Sequence, residues 1–391
     1  FPRDWEASED VREVLATCRE IARHPPAAIG QYVISMARAP SDVLAVELLM
    51  RECGVREAPP VVPLFETLDD LDGAAATMDA LLSIDAYRER VGDEQPVMIG
   101  YSDSAKDAGQ LAAAWAQYRA QEALVEVARR HRLRMPFFHG RGGAVGRGGG
   151  PAHSAILSQP PASVYGRLRV TEQGEMIRFK FGLPTLAEQS LALYAGATLE
   201  ATLLPPPEPG PAWREAMDRL SASALEGYRS VVRGEDGFVD FFRTVTPEQE
   251  LGKLAIGSRP ARRRPSAGIE TLRAIPWVFA WTQIRLMLPA WLGTDTALRG
   301  ALEAGERELL VEMTERWPFF RMQMDMLEMV LAKTDPALFR WYRRRLAGPD
   351  AEALGDALEA RLASLEQDLL ELRDRPGLLA GDPALATSIS V

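Results

Sequence analysis

The sequence predicts an α/β protein in which a partial (β/α)8 barrel of the TIM type is embedded in a predominantly α-helical chain. Short apolar runs alternate with amphipathic helical segments in the first half, and strand patterns stop after about residue 186. Such alternation is typical of parallel strands joined by crossover helices, in a doubly wound sheet or a barrel. Charged residues follow three of the strands in succession, which favours the barrel, where strand ends form the active site.

Five segments of the first half have the character of buried strands, the last being the weakest. They are residues 31–36, 61–66, 97–101, 135–138 and 168–170. Helical segments separate several of them. One begins at Ser41, a capping box of Thr67 and Asp70 precedes a helix ending at Leu82, and a long helix is predicted over residues 107–130.

The second half is predicted to be helical. Residues 204–211 form a proline-rich, extended connector. Helices are predicted near residues 212–233, 269–287, 297–316, 318–333, 336–346 and 350–373. Trp277, Phe279, Trp281 and Trp291 are interpreted as core packing. We therefore divide the chain into residues 1–200, with the strands and candidate catalytic loops, and a mostly helical region, 201–391.

Composition excludes several classes of protein. With 47% hydrophobic and 26% charged residues, the chain has the composition of a soluble globular protein. A net charge of −10 argues against nucleic-acid binding, and the absence of an 18-residue apolar run argues against a membrane span. Cys18 and Cys53 are too few for a disulfide framework or a thiolate zinc site and are interpreted as half-buried fillers. They suit a reducing compartment, so a cytoplasmic location is expected.

A glycine-rich segment is the most informative part of the sequence. Seven glycines lie between residues 140 and 150, together with Arg141 and Arg147, and His139 precedes them. Bare backbone lets several N–H groups approach an anion, and guanidinium groups neutralise it. The segment therefore predicts a phosphate or carboxylate site, with a flexible linker as the alternative.

Two carboxylates follow neighbouring predicted strands. Glu66 ends one strand, and Asp103 and Lys106 follow the next. Oxygen ligands at such positions predict a Mg²⁺ or Mn²⁺ site, with water and substrate oxygens completing the coordination. Lys106 is expected at the positive end of a helix beginning near Ser104, close to a bound anion. The alternative is a helix-capping Asp103 and a solvated Lys106.

Further arginines lie on a proline-interrupted loop, including Arg259, and Arg273 follows near a helix start. They are candidates for anion binding, with a solvated surface as the alternative. No His-Glu-x-x-His motif is present, and Ser102 has no nearby histidine in the sequence, so a hydrolase triad is unsupported.

Two segments resemble the signature sequences of phosphoenolpyruvate carboxylases. They read Phe-His-Gly-Arg-Gly-Gly-x-Val-Gly-Arg-Gly-Gly-Gly-Pro at 138–151 and Gly-Tyr-Ser-Asp-Ser-x-Lys-Asp-Ala-Gly at 100–109. Residues 61–71, 171–184 and 246–281 match as well, and the resemblance spans essentially the whole chain.

The resemblance implies a carboxy-lyase that forms oxaloacetate and phosphate from phosphoenolpyruvate and bicarbonate, via carboxyphosphate and a metal-stabilised enolate. Such enzymes fix carbon to replenish the tricarboxylic acid cycle. Aspartate or malate is implied as an allosteric inhibitor, and a homotetramer as the assembly of the full-length enzyme.

The resemblance also assigns roles to residues. At the active site it implies metal carboxylates and catalytic groups: Glu66 and Asp103 for the metal, and Lys106, His139, Arg141 and Arg147 for catalysis. Substrate-binding arginines are implied at Arg141, Arg147, Arg259 and Arg273. An effector site is implied at Lys333, with Arg147 shared between this site and catalysis.

Members of this family are much longer. The resemblance implies that this chain is the C-terminal two-fifths to half of such an enzyme, truncated at both ends, without an N-terminal half that carries an essential histidine, another substrate arginine and the first barrel strands. The isolated chain can therefore be inactive. Two alternatives stay open: a barrel enzyme that transfers phosphate from phosphoenolpyruvate, and a non-catalytic fragment for oligomerisation or effector binding.

Overall fold

The structure is a computed structural model that describes residues 6–140, 152–172, 174–251, 272, 274–348 and 352–390. The chain divides into two compact units that alternate along the sequence. The first consists of Phe1–Gly100, Arg119–Gly140 and Arg167–Val170, and the second of Tyr101–Tyr118, Arg141–Gly166 and Thr171–Val391. The division predicted near residue 200 stays a prediction.

The described strands of the first unit form one parallel sheet whose spatial order follows the sequence without reversal. They are β1 (Tyr32–Ile34), β2 (Val61–Phe65), β3 (Val97–Gly100), β4 (Phe137–Gly140) and β5 (Arg169–Val170). All five predicted strands, and with them the α/β class, are confirmed. The fourth begins at Phe137 and not at Met135. Pro136 cannot donate to the ladder, and its carbonyl accepts from the Val97 N–H at 3.2 Å.

Helices of the first unit pack against this sheet. Those lying wholly in the first unit are α1 (Glu9–Arg23), α2 (Pro40–Glu52), α3 (Leu68–Leu82) and α4 (Asp85–Val91), with a 3₁₀ turn at Pro26–Ala28. Both α2 and α3 pack against β2. The predicted capping box is confirmed: the Asp70 N–H donates to Thr67 Oγ1 at 3.2 Å, and the Thr67 N–H donates to an Asp70 carboxylate oxygen at 3.0 Å.

The rest of the described chain is helical. Its helices are α5 (Ser102–Ala108), α6 (Gln110–Arg130), α7 (Ala152–Leu157), α8 (Gly174–Phe181), α9 (Pro184–Leu203), α10 (Pro211–Val232), α11 (Phe238–Val245), α12 (Glu248–Leu251), α13 (Ala274–Gln283), α14 (Thr294–Glu303), α15 (Arg307–Arg316), α16 (Pro318–Lys333), α17 (Pro336–Leu346), α18 (Glu352–Arg373) and α19 (Pro383–Ser390), with a 3₁₀ turn at Leu288–Ala290. The division between the units passes within α6. The bounds predicted for α16 and α17 are confirmed, α13 ends at Gln283 and not at residue 287, and α9 was not predicted.

Two predicted long helices are each divided by a glycine. The helix predicted over residues 107–130 ends at Gly109, where φ is +80°, and α6 begins after it. The helix predicted over 297–316 is divided into α14 and α15, with Gly305 at φ +79° between them. Side-chain-bearing residues rarely adopt this left-handed backbone conformation, so glycine allows both breaks. A Cβ on Gly109 would also lie 3.1 Å from the ring of Tyr228.

The helical unit has an aromatic core. Trp277, Trp281 and Trp291 are fully buried, and Phe279 packs at the margin, so the predicted core cluster is confirmed. Trp277 and Trp281 meet edge to face with ring centroids 5.6 Å apart. None of the helices in the described part of the chain has an apolar stretch long enough to cross a membrane.

Candidate active site

Glu66 is the first residue after β2, at the carboxyl edge of the sheet. Only 3% of its surface is exposed. Phe65 pairs with Ile99, and Gly100 pairs with Gly140, so Glu66 and these two glycines occupy neighbouring positions across three strands. A buried carboxylate requires hydrogen bonds or a cation to offset its loss of hydration, which suits a metal-ligand position.

Glycine at position 100 makes room for Glu66. A Cβ on Gly100 would lie 2.9 Å from the Glu66 Cα and 3.2 Å from its Cγ, closer than packed atoms approach. A Cβ on Gly140 would lie 2.9 Å from the Met98 Cε. The glycine that opens the Gly-Tyr-Ser-Asp motif therefore lets β3 pass directly beside the glutamate.

Asp70 and Arg38 position the Glu66 backbone. One carboxylate oxygen of buried Asp70 accepts from the Glu66 N–H at 3.4 Å, and the other accepts from Arg38 Nε at 3.0 Å. The Arg38 carbonyl in turn accepts from the Thr77 hydroxyl at 2.9 Å. Sequence analysis identified Asp70 only as a helix cap. It missed Arg38, since a contact across 32 positions has no local sequence signal.

The side chain of His139 lies on the other face of the sheet. Directly paired residues of parallel strands share a face, and successive residues alternate. His139 pairs with Ile99, one row before Glu66. It has 1% of its surface exposed, and its ring centroid lies 6.5 Å from that of Phe137, two residues earlier on β4. His139 is therefore buried on the sheet face opposite that of Glu66.

In the second unit, α5 carries Asp103 in its first turn and Lys106 in its last turn. Both side chains are half-buried. The expectation that Lys106 lies at the positive end of a helix beginning near Ser104 is wrong, because α5 begins at Ser102. The two charged groups do lie within one short helix that follows β3 directly in the chain.

Contacts from α10 fix α5 in place. The Tyr228 hydroxyl donates to the Lys106 carbonyl at 2.7 Å, and Asp107 forms ion pairs with Arg229 at 3.2 Å and with Arg233. Burial, and next the nearby Asp107 carboxylate, raise the pKa of Tyr228, so its hydroxyl stays protonated as a donor. These contacts hold the backbone that carries Asp103 and Lys106.

The four predicted arginines lie outside the described residues. They are Arg141, Arg147, Arg259 and Arg273. Gly140, the last residue of β4, directly precedes Arg141 in the chain. The roles given to these arginines stay predictions.

Lys333, the predicted effector residue, is the last residue of α16. Burial, and then the positive charge of Arg285, lower the pKa of its ammonium group. The Arg285 carbonyl accepts from the Asp335 N–H at 2.9 Å, which ties the two segments together. Two cations held at short range repel each other, so a bound anion would stabilise the pair.

The chemistry of the predicted metal residues fits a hard divalent cation. Glu66 of the first unit and Asp103 of the second each carry carboxylate oxygens, which Mg²⁺ and Mn²⁺ prefer. Within the described ranges, no group of three or more His, Cys, Asp or Glu residues lies close enough to hold a metal by itself. A carboxylate ligand suits a cation that keeps water and substrate oxygens in its other positions, as Mg²⁺ does.

Comparison with known proteins agrees with these motifs. The sequence profile of the family described as phosphoenolpyruvate carboxylase matches residues 1–391. Proteins named phosphoenolpyruvate carboxylase are similar over the whole chain: 60% identical in Hahella chejuensis, 61% in Pseudomonas aeruginosa and 58% in Shewanella sediminis. This chain covers 44% of the length of each. The chain belongs to the phosphoenolpyruvate carboxylase family.

Proposed function

We propose that the chain contributes the metal site and much of the phosphoenolpyruvate site of a phosphoenolpyruvate carboxylase. The reaction forms oxaloacetate and phosphate from phosphoenolpyruvate and bicarbonate. The buried Glu66 carboxylate, seated against Gly100 at the carboxyl edge of a parallel sheet, is the observation that carries this proposal. The names of the relatives support the same reaction.

The five strands are proposed to be consecutive strands of an eight-stranded barrel. Open doubly wound sheets reverse their strand order at a switch point, and ligands bind there. The order here runs from β1 to β5 without reversal, as it does around a barrel. Glu66 follows β2 and Asp103 follows β3, at the ends where barrel enzymes place their active sites.

Glu66 and Asp103 are proposed to hold Mg²⁺ or Mn²⁺. When bound, the cation would neutralise charge on the substrate phosphate and on the enolate oxygen. Asp70 and Arg38 keep the Glu66 backbone in place, and Gly100 leaves room for its side chain. His139 is buried on the sheet face opposite Glu66, so its proposed contribution to catalysis is to hold the end of β4 and thereby the residues that follow it.

The cationic residues are proposed to stabilise the negative charge that develops on the substrates during the reaction. Lys106 adds fixed positive charge beside the enolate or carboxyphosphate. Arg141, Arg147 and Arg259 bind the transferred phosphoryl group and the carboxylates, and Arg273 extends this substrate site. The glycine-rich segment excludes water, which protects carboxyphosphate and nascent CO₂ from loss.

Lys333 is proposed to bind a carboxylate of aspartate or malate in a feedback site that shares Arg147 with catalysis. The neighbouring Arg285 and the burial of the lysine support an anion there. Because the pKa of Lys333 is lowered, inhibition should weaken with rising pH earlier than for an ordinary lysine site. The complete enzyme is proposed to be a homotetramer.

The catalytic assignment is tested with Lys106→Ala and Arg147→Ala in a complete enzyme that contains this chain. Each variant should lose oxaloacetate formation by at least about 100-fold, the scale for removing one preorganised charge donor. Arg129→Ala is the matched control, since Arg129 is exposed on α6 and pairs only distantly with Glu126, at 3.5 Å. Near-normal turnover in either test variant rejects its role. Pyruvate release without bicarbonate would instead indicate the phosphotransfer reaction.

The metal assignment is tested with Glu66→Gln, which keeps shape and removes charge. Mn²⁺ binding, followed by electron paramagnetic resonance, should weaken strongly in this variant. Glu126→Gln, a substitution of an exposed glutamate on α6, should bind Mn²⁺ like the unmodified enzyme. Equal Mn²⁺ affinity in all three proteins would show that Glu66 is not a ligand.

A further inference from the structure

The two cysteines of the chain lie side by side although they are 35 positions apart in the sequence. Cys18 belongs to α1, and Cys53 is the C-cap residue directly after α2. Burial, and next the neighbouring Cys53 side chain, raise the pKa of the Cys18 thiol. The Cys53 thiol in turn donates to the Leu15 carbonyl at 3.7 Å, one turn before Cys18 on α1. The packing of α1 on α2 therefore makes the two cysteines neighbours.

The two thiols differ in access to solvent. Cys18 has 1% of its surface exposed, whereas Cys53 is only half-buried. A small oxidant can reach Cys53 directly, whereas Cys18 is shielded from solvent. The half burial expected from the sequence is confirmed for Cys53 and wrong for Cys18, which is buried. The sequence gives no sign that the two residues are neighbours.

We propose that Cys18 and Cys53 form an oxidant-sensitive dithiol site that hydroperoxides convert to a reversible disulfide. The Cys53 sulfur attacks one peroxide oxygen, the O–O bond breaks, and a sulfenic acid and one molecule of water or alcohol form. The Cys18 sulfur then attacks the sulfenic sulfur, the S–S bond forms, and water leaves. In total, two thiols lose two electrons and two protons, and one hydroperoxide is reduced.

The local backbone permits this bond. The sulfur atoms must approach to about 2.05 Å to form the bond. Cys53 lies at the end of α2, and Gly54 follows at φ +89°, so rotation there does not disrupt a helix interior. The resulting bond would join α1 to the end of α2 and enclose β1 in the loop between them.

Neither cysteine is among the proposed site residues, so the modification can be tested apart from catalysis. The purified chain is treated with hydrogen peroxide, alkylated, and digested with trypsin. The expected product is a link between peptides 13–19 and 52–56, with a mass two hydrogens below that of the free peptides, which dithiothreitol removes. Cys53→Ser should give no link and should leave Cys18 largely unoxidised.

Three results would overturn the proposal. They are full alkylation of both cysteines after peroxide, over-oxidation of Cys53 with Cys18 still alkylated, and disulfide-linked dimers in place of the internal link. A second measurement guards against a folding defect in the variant. Hydrogen exchange of the α1 amides in the unmodified chain should slow after peroxide and return after dithiothreitol. Unchanged exchange would contradict a bond between α1 and α2.

Discussion

Two apolar helices of the second unit have opposite environments. Most of the apolar side chains of α16 are buried, among them Phe319, Phe320 and Leu327. By contrast, α9 buries only Ala197 and Ala201. Its leucines at positions 186, 191, 193, 199 and 203 are all exposed.

The exposed surface of α9 has a regular pattern. Leu191, Ala195, Leu199 and Leu203 are spaced by four residues and form one ridge along the helix. Ridges of this spacing pack into the grooves of other helices. Named relatives are more than twice as long as this chain, which covers 44% of them. Apolar residues therefore mark where a helix needs packing partners, and the exposure of α9 shows that the described residues do not cover its ridge.

The largest expected effect comes from one substitution made in both helices. Leu327→Ala in α16 should lower the free energy of unfolding by about 2–5 kcal/mol, because Leu327 is only 4% exposed and its truncation leaves a cavity. Leu199→Ala in α9, where 61% is exposed, should change it by less than about 0.5 kcal/mol. Denaturant unfolding followed by tryptophan fluorescence measures both. Equal losses would mean that α9 is packed as tightly as α16.

Two helical glycines give a second, smaller contrast. Gly355→Ala in α18 should cost about 1–3 kcal/mol, because a Cβ there would lie 2.1 Å from the Arg343 Cδ. Arg343 is buried and pairs with Asp356 at 2.6 Å, so it cannot move away freely. A Cβ on Gly300 in α14 would have no neighbouring atom within 4 Å. Gly300→Ala should therefore raise the free energy of unfolding by up to about 1 kcal/mol. Thermal unfolding of both variants measures this difference. A stable Gly355→Ala protein would show that Arg343 is not tightly held.

The smallest effect on stability is expected for Leu199→Lys. The charged side chain would point to solvent from the α9 ridge, so the unfolding midpoint should stay within about 0.5 kcal/mol of the original. Self-association should fall, because the exposed apolar ridge is interrupted. Light scattering over a range of protein concentrations measures the change. Identical self-association would show that the ridge is not a contact surface.

The strands of the sheet are well predicted from the sequence. The points at which long helices are divided are poorly predicted. Short apolar runs bounded by turn residues mark each strand, so all five were found. Gly300, inside α14, and Gly305, which follows it at φ +79°, look alike in the sequence and differ only in backbone conformation. Similarly, α9 was missed because its apolar residues surround the helix and no polar face gives it a helical period.

In the candidate site, too, residues with a local sequence signal were predicted, and residues whose role depends on long-range packing were not. Glu66 and Asp103 were predicted because carboxylates follow successive strands, a local signal. Arg38 was missed because its contact with Asp70 depends on how α2 and α3 pack. The burial of His139 depends on the register of β3 and β4, and one residue of difference would move its side chain to the other face.

The most direct test of the central claim is oxaloacetate formation from phosphoenolpyruvate, bicarbonate and Mg²⁺. It is measured for the 391-residue chain alone and for the chain mixed with the polypeptide that completes a named relative. We expect no turnover from the chain alone and turnover from the mixture, since the chain carries Glu66, Asp103 and Lys106 but covers less than half of the family length. Activity of the chain alone would show that these residues suffice. Inactivity of a mixture whose two parts fold and associate would contradict the proposed carboxylase site.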